Sequence, residues 1–319
     1  MLRSILIALS KAKWAQRLVT HWKLAWRVAS RFIAGDTIDD AVRVIETLNQ
    51  QGCLATLDHL GENTASPEDA DEAVLEIIGA LDAIDRHQLH SNVSLKLSQL
   101  GIVLDPELAY RNLLRVLEHA RKLNNYITVD MEDSSLTQIT LELVFRARAA
   151  GFENVGTVIQ SYLYRSLEDT QRLADGNVPV RMVKGAYLEP PELVFARKQD
   201  VDASFDRLTE ILIDAQLKPE APQYDPWGRF PPLPAVASHD QKRIENARAY
   251  AQTRGLDNRV LEFQLLYGIR RDLQQALVSQ GYPMRIYVPY GTHWYPYFMR
   301  RLAERPANVW FFLSNFFHR

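Results

Sequence analysis

"NVSLKLSQLGIVLDPELAYRNLLRVLEHARKLNNYITVDM", Asn92 to Met131, decides the fold. Its two ends, "NVSLKL" (92–97) and "YITVDM" (126–131), are short apolar and β-branched runs of strand length. Between them "DPELAYRNLLRVLEHARKL" places apolar residues at i, i+3, i+4 spacing with charges on the other face, which predicts an amphipathic helix. A strand, a helix and a second strand within one such stretch form the crossover unit that joins parallel strands.

The same rhythm runs outward in both directions. Further strand candidates are "CLATLD" (53–58), "NVGTVIQ" (154–160), "VPVRMVKG" (178–185), "PAVASH" (234–239), "RVLEFQLL" (259–266) and "RIYVPY" (285–290). Helical stretches between them include "PEDADEAVLEIIGALDAIDRH", "SLTQITLELVFRARAAG" and "VDASFDRLTEILIDAQ". Eight βα units fit a closed (βα)₈ barrel, and no G-x-G-x-x-G follows the first strand to favour an open dinucleotide-binding sheet. The proline- and aromatic-rich "KPEAPQYDPWGRFPPLP" (218–234) reads as a long loop before the sixth strand.

Barrel enzymes place their chemistry at the carboxyl ends of the strands. That rule selects Asp58, Lys96, Asp130, Glu132, Gln160, Arg181, Lys184, His239, Gln264 and Tyr290. For any one of them a loop-facing side chain, or a layer of salt bridges in the barrel, is the plain reading. As a set they need explaining, because barrel interiors are ordinarily filled by branched apolar side chains. The carboxylates are not gathered into an oxygen cage and the histidines lack a paired metal spacing, so no metal is expected. Lys96, Arg181, Lys184, Arg300 and Arg301 suggest a cationic pocket for a phosphate-bearing cofactor and a carboxylate substrate. A strand-end lysine also leaves open a Schiff-base barrel lyase or aldolase.

"YPYFMRRLAERPAN" (295–308) sharpens the question. On a helix Tyr297, Arg300, Arg301 and Glu304 fall within roughly a 100° arc. They form either a wet face on which Glu304 pairs with the arginines, or a clamp for a carboxylate.

The 319 residues, 47% hydrophobic and 24% charged, suffice for a large core, and a net charge of −2 without basic blocks argues against nucleic acid as a partner. The lone cysteine, Cys53, excludes an intramolecular disulfide and points to a reducing compartment. The N-terminal "MLRSILIALSKAKWAQRLVTHWKLAWRVASRFIAG" is amphipathic, too short in its apolar run to span a bilayer and without a cleavage site. It reads as a packed helix or as one lying on a membrane surface, and the aromatic "VWFFLSNFFHR" at the end as a docking tail. The expected organisation is a single catalytic domain: a helical segment over 1–52, a barrel over 53–308 and the tail over 309–319.

Taken in order, "SLKLSQLG", "VDMED", "VIQSYLYR", "RMVKGAYLE", "ASHD", "LEFQLLYGIR" and "RIYVPYGTHWYPYFMRRLAERPAN" resemble the strand-end motifs of the proline dehydrogenases. The resemblance covers residues 35 to 308 and is closest to the short monofunctional bacterial form. It implies a distorted (βα)₈, TIM-like barrel with N-terminal helices and a last helix over the mouth. It also implies non-covalent FAD, oxidation of L-proline to 1-pyrroline-5-carboxylate by hydride transfer to flavin N5, and a membrane quinone as electron acceptor.

Carried over motif by motif, the resemblance gives Lys96, Arg300 and Arg301 to the proline carboxylate, with Glu304 orienting the arginines or facing the ring nitrogen. Tyr287, Tyr297 and Leu266 would wall the pyrrolidine ring. Asp130 and Met131 would edge the isoalloxazine, Gln160 its pyrimidine part, and Arg181 would reach N5. Lys184, Gly185 and Ala186, with Ser238 and His239, would contact the ribityl and phosphate portions. The same resemblance suggests a cytoplasmic protein, peripheral on the inner face of the membrane, and is compatible with a homo-oligomer. A non-catalytic proline-binding module at the membrane is the remaining reading. The 218–234 loop is longer than that family's pattern and leaves the surroundings of the adenine open.

Overall fold

The computed structural model of the chain describes Leu6, Ala12 and residues 23–61 and 64–304, the side chains of Lys23, Leu24 and Glu304 excepted. The strands are β1 (Leu54–His59), β2 (Ser91–Leu95), β3 (Ile127–Val129), β4 (Val155–Gln160), β5 (Val180–Val183), β6 (Pro234–Ala237), β7 (Glu262–Leu266) and β8 (Met284–Tyr290). They pair in parallel, each with the next, and β1 closes on β8 from Leu54↔Arg285 to His59↔Tyr290. All eight expected strands are therefore present in the expected closed barrel.

The helices are α1 (Lys23–Ala29), α2 (Ile38–Gln50), α3 (Pro67–Arg86), α4 (Pro106–Lys122), α5 (Ser134–Ala149), α6 (Ser166–Asp175), α7 (Lys198–Gln216), α8 (Gln241–Thr253), α9 (Arg271–Ser279) and α10 (Tyr295–Glu304). Local chemistry starts several of them. Thr37 and Ser66 form reciprocal capping boxes with Asp40 and Asp69, while Asp105, Asp133 and Asp240 accept from the first-turn amides of α4, α5 and α8. Most strand ends differ from the sequence expectation by one to three residues. The largest difference is at β7, which starts at Glu262 and not Arg259 because Asp257 caps a 3₁₀ turn over Asn258–Val260.

Alternate residues of each strand face opposite ways. One set, including Leu57, Leu95, Val129, Val180, Phe263 and Ile286, joins the helices in one apolar cluster. The other set turns inward and is polar. At its base Arg285, fully buried, chelates Glu262 at 2.7 and 2.9 Å and donates to Ala55 O and Gly228 O. Gly228 lies in the 218–234 loop, which also takes Asn92 Nδ2 at Arg229 O and sets Phe230 against Tyr126. That loop therefore stoppers the amino-terminal end of the barrel, away from the strand carboxyl ends, and does not border the expected cofactor region.

Among the described residues no helix after β8 takes the usual place on the barrel wall. There α2 packs between β1 and β8, while α10 turns across the carboxyl end. Ala25, Val28, Ala29 and Ile33 from α1 and the residues after it form a second apolar cluster with Trp294, Tyr295, Phe298, Met299 and Leu302, and Trp26 meets Trp294 at 5.4 Å between centroids. Residues 23–33 thus follow the packed-helix reading. Residues 305–319, with the aromatic tail, and most of 1–22 lie outside the described residues.

Removing one partner from a buried ion pair leaves the other charge uncompensated, at about 3–5 kcal/mol. Glu262→Gln and Arg285→Met are each expected to lose stability on that scale. A Glu262→Leu/Arg285→Met double variant should lose clearly less than the sum in urea unfolding; additive losses would show that the pair is not coupled.

Candidate active site

At the carboxyl ends of the strands lies a cavity of about 450 Å³. Its lining includes Lys96, Asp130, Met131, Gln160, Arg181, Lys184, Gly185, Ala186, Ser238, His239, Leu266, Tyr287, Tyr297, Arg300 and Arg301. Fifteen of the sixteen site residues expected from the sequence are thus brought to one space. The side chain of the sixteenth, Glu304, lies outside the described residues. Tyr297, Arg300 and Arg301 all line the cavity, as the helical arc predicts, with Tyr297 buried and both arginines half-buried.

Asp130, just beyond β3, is the hub. Arg181 Nη1 donates to its Oδ1 at 2.6 Å and Ser94 Oγ to the same oxygen at 3.2 Å. Tyr287 OH donates to Oδ2 at 2.7 Å, and Lys96 Nζ stands 3.4 Å from it. Burial, and next the carboxylate charge of Asp130, hold the Tyr287 phenol well above its ordinary pKa, so it remains a donor. Arg181 continues the chain downward: its Nε donates to Gln264 Oε1 at 2.5 Å, and Gln264 Nε2 donates to Glu262 at 2.6 Å. The plain reading, a layer of barrel salt bridges, accounts for part of this set. The lower layer is a barrel salt bridge, and the upper layer opens on the cavity.

Arg181 Nη2 is buried and has no hydrogen-bond partner among the described residues. An unmade bond of this kind is costly, and the guanidinium that carries it belongs to a residue lining the cavity. Around it the wall offers further amide, hydroxyl and imidazole groups, in keeping with a large polar heterocycle carrying phosphates. His239 Nε2 accepts from Leu266 N–H at 3.2 Å, which joins the β6 end to the apolar wall at the end of β7. Lys184 is already held by Asp202 at 2.5 Å and Asp240 at 2.7 Å, so its side chain braces the α7 and α8 starts. Gly185 has φ +114°, and a Cβ there would meet the Tyr162 ring at 2.4 Å. The glycine is required by that conformation and by the close passage of Tyr162.

Val158, Val183, Tyr187, Ala237, Asp240, Gln264 and Leu265 also line the cavity without having been chosen as site residues. Gln264 stood among the strand-end polar residues, as did Asp58; the apolar ones carry no signal that separates cavity wall from core. Glu132, another strand-end choice, caps the turn after β2 through Ser98 N–H at 3.0 Å.

The family model described as Proline dehydrogenase matches residues 41–313. Proline dehydrogenase 1 of Bacillus subtilis is 40% identical over 317 residues, which is 98% of this chain and 98% of that protein. Proline dehydrogenase of Deinococcus radiodurans is 40% identical over 291 residues, 90% of this chain and 89% of that protein. Among solved structures, proline utilization A (PutA) from Bdellovibrio bacteriovorus inactivated by N-propargylglycine superposes with a TM-score of 0.77 at 25% identity. It covers 88% of this chain, which spans only 33% of that longer one.

Replacing Gly185 by Ala forces both a left-handed backbone on a residue with a Cβ and a collision with Tyr162, an expected loss of about 1–3 kcal/mol. A second change, Tyr162→Ala, should return only the collision part, measured by urea unfolding of the four proteins. An unchanged midpoint in Gly185→Ala would contradict the assignment.

Proposed function

The chain belongs to the proline dehydrogenase family, and on that premise we propose that it oxidises L-proline to 1-pyrroline-5-carboxylate, with non-covalent FAD as hydride acceptor and a membrane quinone as final acceptor. The observation that carries this reading is the meeting of Lys96, Arg300 and Arg301 with Leu266, Tyr287 and Tyr297 in one cavity beside Arg181. Cations for a carboxylate and an apolar wall for a small ring are what proline needs.

Bound FAD would supply the acceptor for the hydride from the ring carbon beside nitrogen. The residues of this chain do the rest. Arg300 and Arg301, with Lys96, hold the substrate carboxylate and fix the ring. Tyr287, Tyr297 and Leu266 pack against it and exclude water. The same cations disfavour a proton on the ring nitrogen, leaving its lone pair free to assist. Glu304 is assigned to the arginines or the nitrogen. For the cofactor, Arg181 supplies a donor and a positive charge that favour the reduced anionic form, Asp130 fixes Arg181, and Met131 and Gln160 complete that edge. Gly185, Ala186, Ser238 and His239, with Lys184 behind them, receive the ribityl and phosphate end.

A Schiff-base lyase is less well supported. Lys96 lies between two carboxylates that favour its charged form, whereas a Schiff-base lysine must be free to lose its proton. The activity is assigned to the barrel over 53–308, with α2 from the 1–52 segment as part of its wall and 309–319 as a tail. No helix among the described residues is long and apolar enough to cross a membrane. A quinone acceptor suits a cytoplasmic protein that touches the inner face of the membrane, with contact assigned to residues outside those described.

Protein reconstituted with FAD should carry flavin that proline bleaches without oxygen; FAD that binds and is not bleached would leave only a binding module, and no uptake of FAD would end the reading. Arg181→Met should lower the potential of the bound flavin, read by spectroelectrochemistry, and an unchanged potential would remove that role. Arg300→Met and Arg301→Met should each raise the KM for proline by roughly tenfold or more, since a charge-assisted hydrogen bond contributes about 1.5–3 kcal/mol. Stability loss without a change in proline kinetics would make the pair a surface salt-bridge face.

A further inference from the structure

The Lys96 ammonium is held from behind. Its Nζ lies 3.3 Å from each oxygen of Asp58, and 3.4 Å from Asp130 Oδ2. Asp130 is already bound to Arg181 at 2.6 Å and to Tyr287 at 2.7 Å, so its charge is shared. Asp58 is fully buried, sits at the end of β1, and does not line the cavity, whereas Lys96 does. The backbone is fixed to the same place: Lys96 N–H donates to Gln99 Oε1 at 2.8 Å, and Gln99 Nε2 donates to the carbonyl of His59, next to Asp58. The contacts of Nζ with Asp58 and Asp130 are longer than a tight ammonium–carboxylate bond of about 2.7–2.9 Å.

We propose that Asp58 is a positioning residue for substrate binding: it fixes the place and keeps the charge of Lys96, so that the ammonium is ready for a carboxylate in the cavity. The inference rests on the reading of this cavity as a proline site. Asp58 reaches no substrate and acts only through Lys96. The other charged or titratable groups around Lys96 are Asp130 beyond β3, Arg181 on β5 and Tyr287 on β8, with Arg300 and Arg301 of α10 lining the same cavity. Three of these, the arginines, are cations, so no one of them replaces Asp58 as a counter-charge. An Asn at position 58 keeps the shape and removes the charge. The ammonium then loses its fully buried counter-charge and gives up its proton at lower pH.

The test uses FAD-reconstituted protein and reads binding from the flavin spectrum between pH 7 and 9.5, with tetrahydrofuran-2-carboxylate and with tetrahydrofuran. In the parent, affinity for the carboxylate ring should exceed that for the plain ring and stay flat with pH. In Asp58→Asn, affinity for the carboxylate ring should fall by about tenfold across the range, as an amine that has lost its proton no longer attracts the anion, while the plain ring is unaffected. A flat, parent-like profile, or equal losses for both rings, would overturn the inference. A parent without preference for the carboxylate ring would instead sink the proline reading, and this inference with it. Asp58→Asn/Lys96→Met leaves neither charge of this pair behind and extends the test should the single Asp58 variant not fold. It should bind the carboxylate ring weakly at every pH in the range, without the alkaline loss. An alkaline loss that persists in the double variant would show that Asp58 acts by another route and overturn the assignment.

Discussion

A parallel barrel whose interior holds Asp58, Lys96, Asp130, Arg181, Glu262 and Arg285 can close only if those charges neutralise one another, because an isolated ion in such a place would cost several kcal/mol. Three carboxylates meet three cations, and Gln264 carries the hydrogen bonds from Arg181 to Glu262. This constraint orders the rest. At the base the pairing is complete and sealed by the 218–234 loop. At the top the network reaches the cavity through Lys96, Asp130, Arg181 and Tyr287, and there the barrel opens. One polar network therefore serves as core at one end and as binding surface at the other.

The exchange of helices at the seam follows from the same arrangement. With α2 packed beside β8, the chain after β8 is free to cross the mouth, and α10 brings Tyr297, Arg300 and Arg301 over the strand ends. Its outer face is covered by α1, through Trp26 and the aliphatic residues around it. The described residues of the amino-terminal lead thereby bear on the placement of the arginines, although none of them lines the cavity.

Much of this was legible in the sequence. Strand and helix periods mark the eight units because buried parallel strands and amphipathic crossovers have different apolar spacing, and strand-end polar residues mark the cavity because the fold leaves little else to explain Lys96, Asp130 or Arg181 inside a barrel. Other features depended on contacts between distant segments. The stoppering role of 218–234 rests on Arg285 reaching Gly228, and the seating of α1 on α10 joins segments more than 260 residues apart. Gly185 shows the intermediate case: the need for glycine is readable, but its reason includes the Tyr162 ring. Asp58 is visible as a strand-end carboxylate, yet its service to Lys96 is a matter of distance across the barrel.

If the cations at the open end of this network read a carboxylate on a small ring, a crystal structure of the FAD-loaded protein with tetrahydrofuran-2-carboxylate will show it. The carboxylate is expected within hydrogen-bond reach of Lys96, Arg300 and Arg301, with the ring against Tyr287, Tyr297 and Leu266. A carboxylate turned away from all three cations, with Arg300 and Arg301 facing solvent, would contradict it.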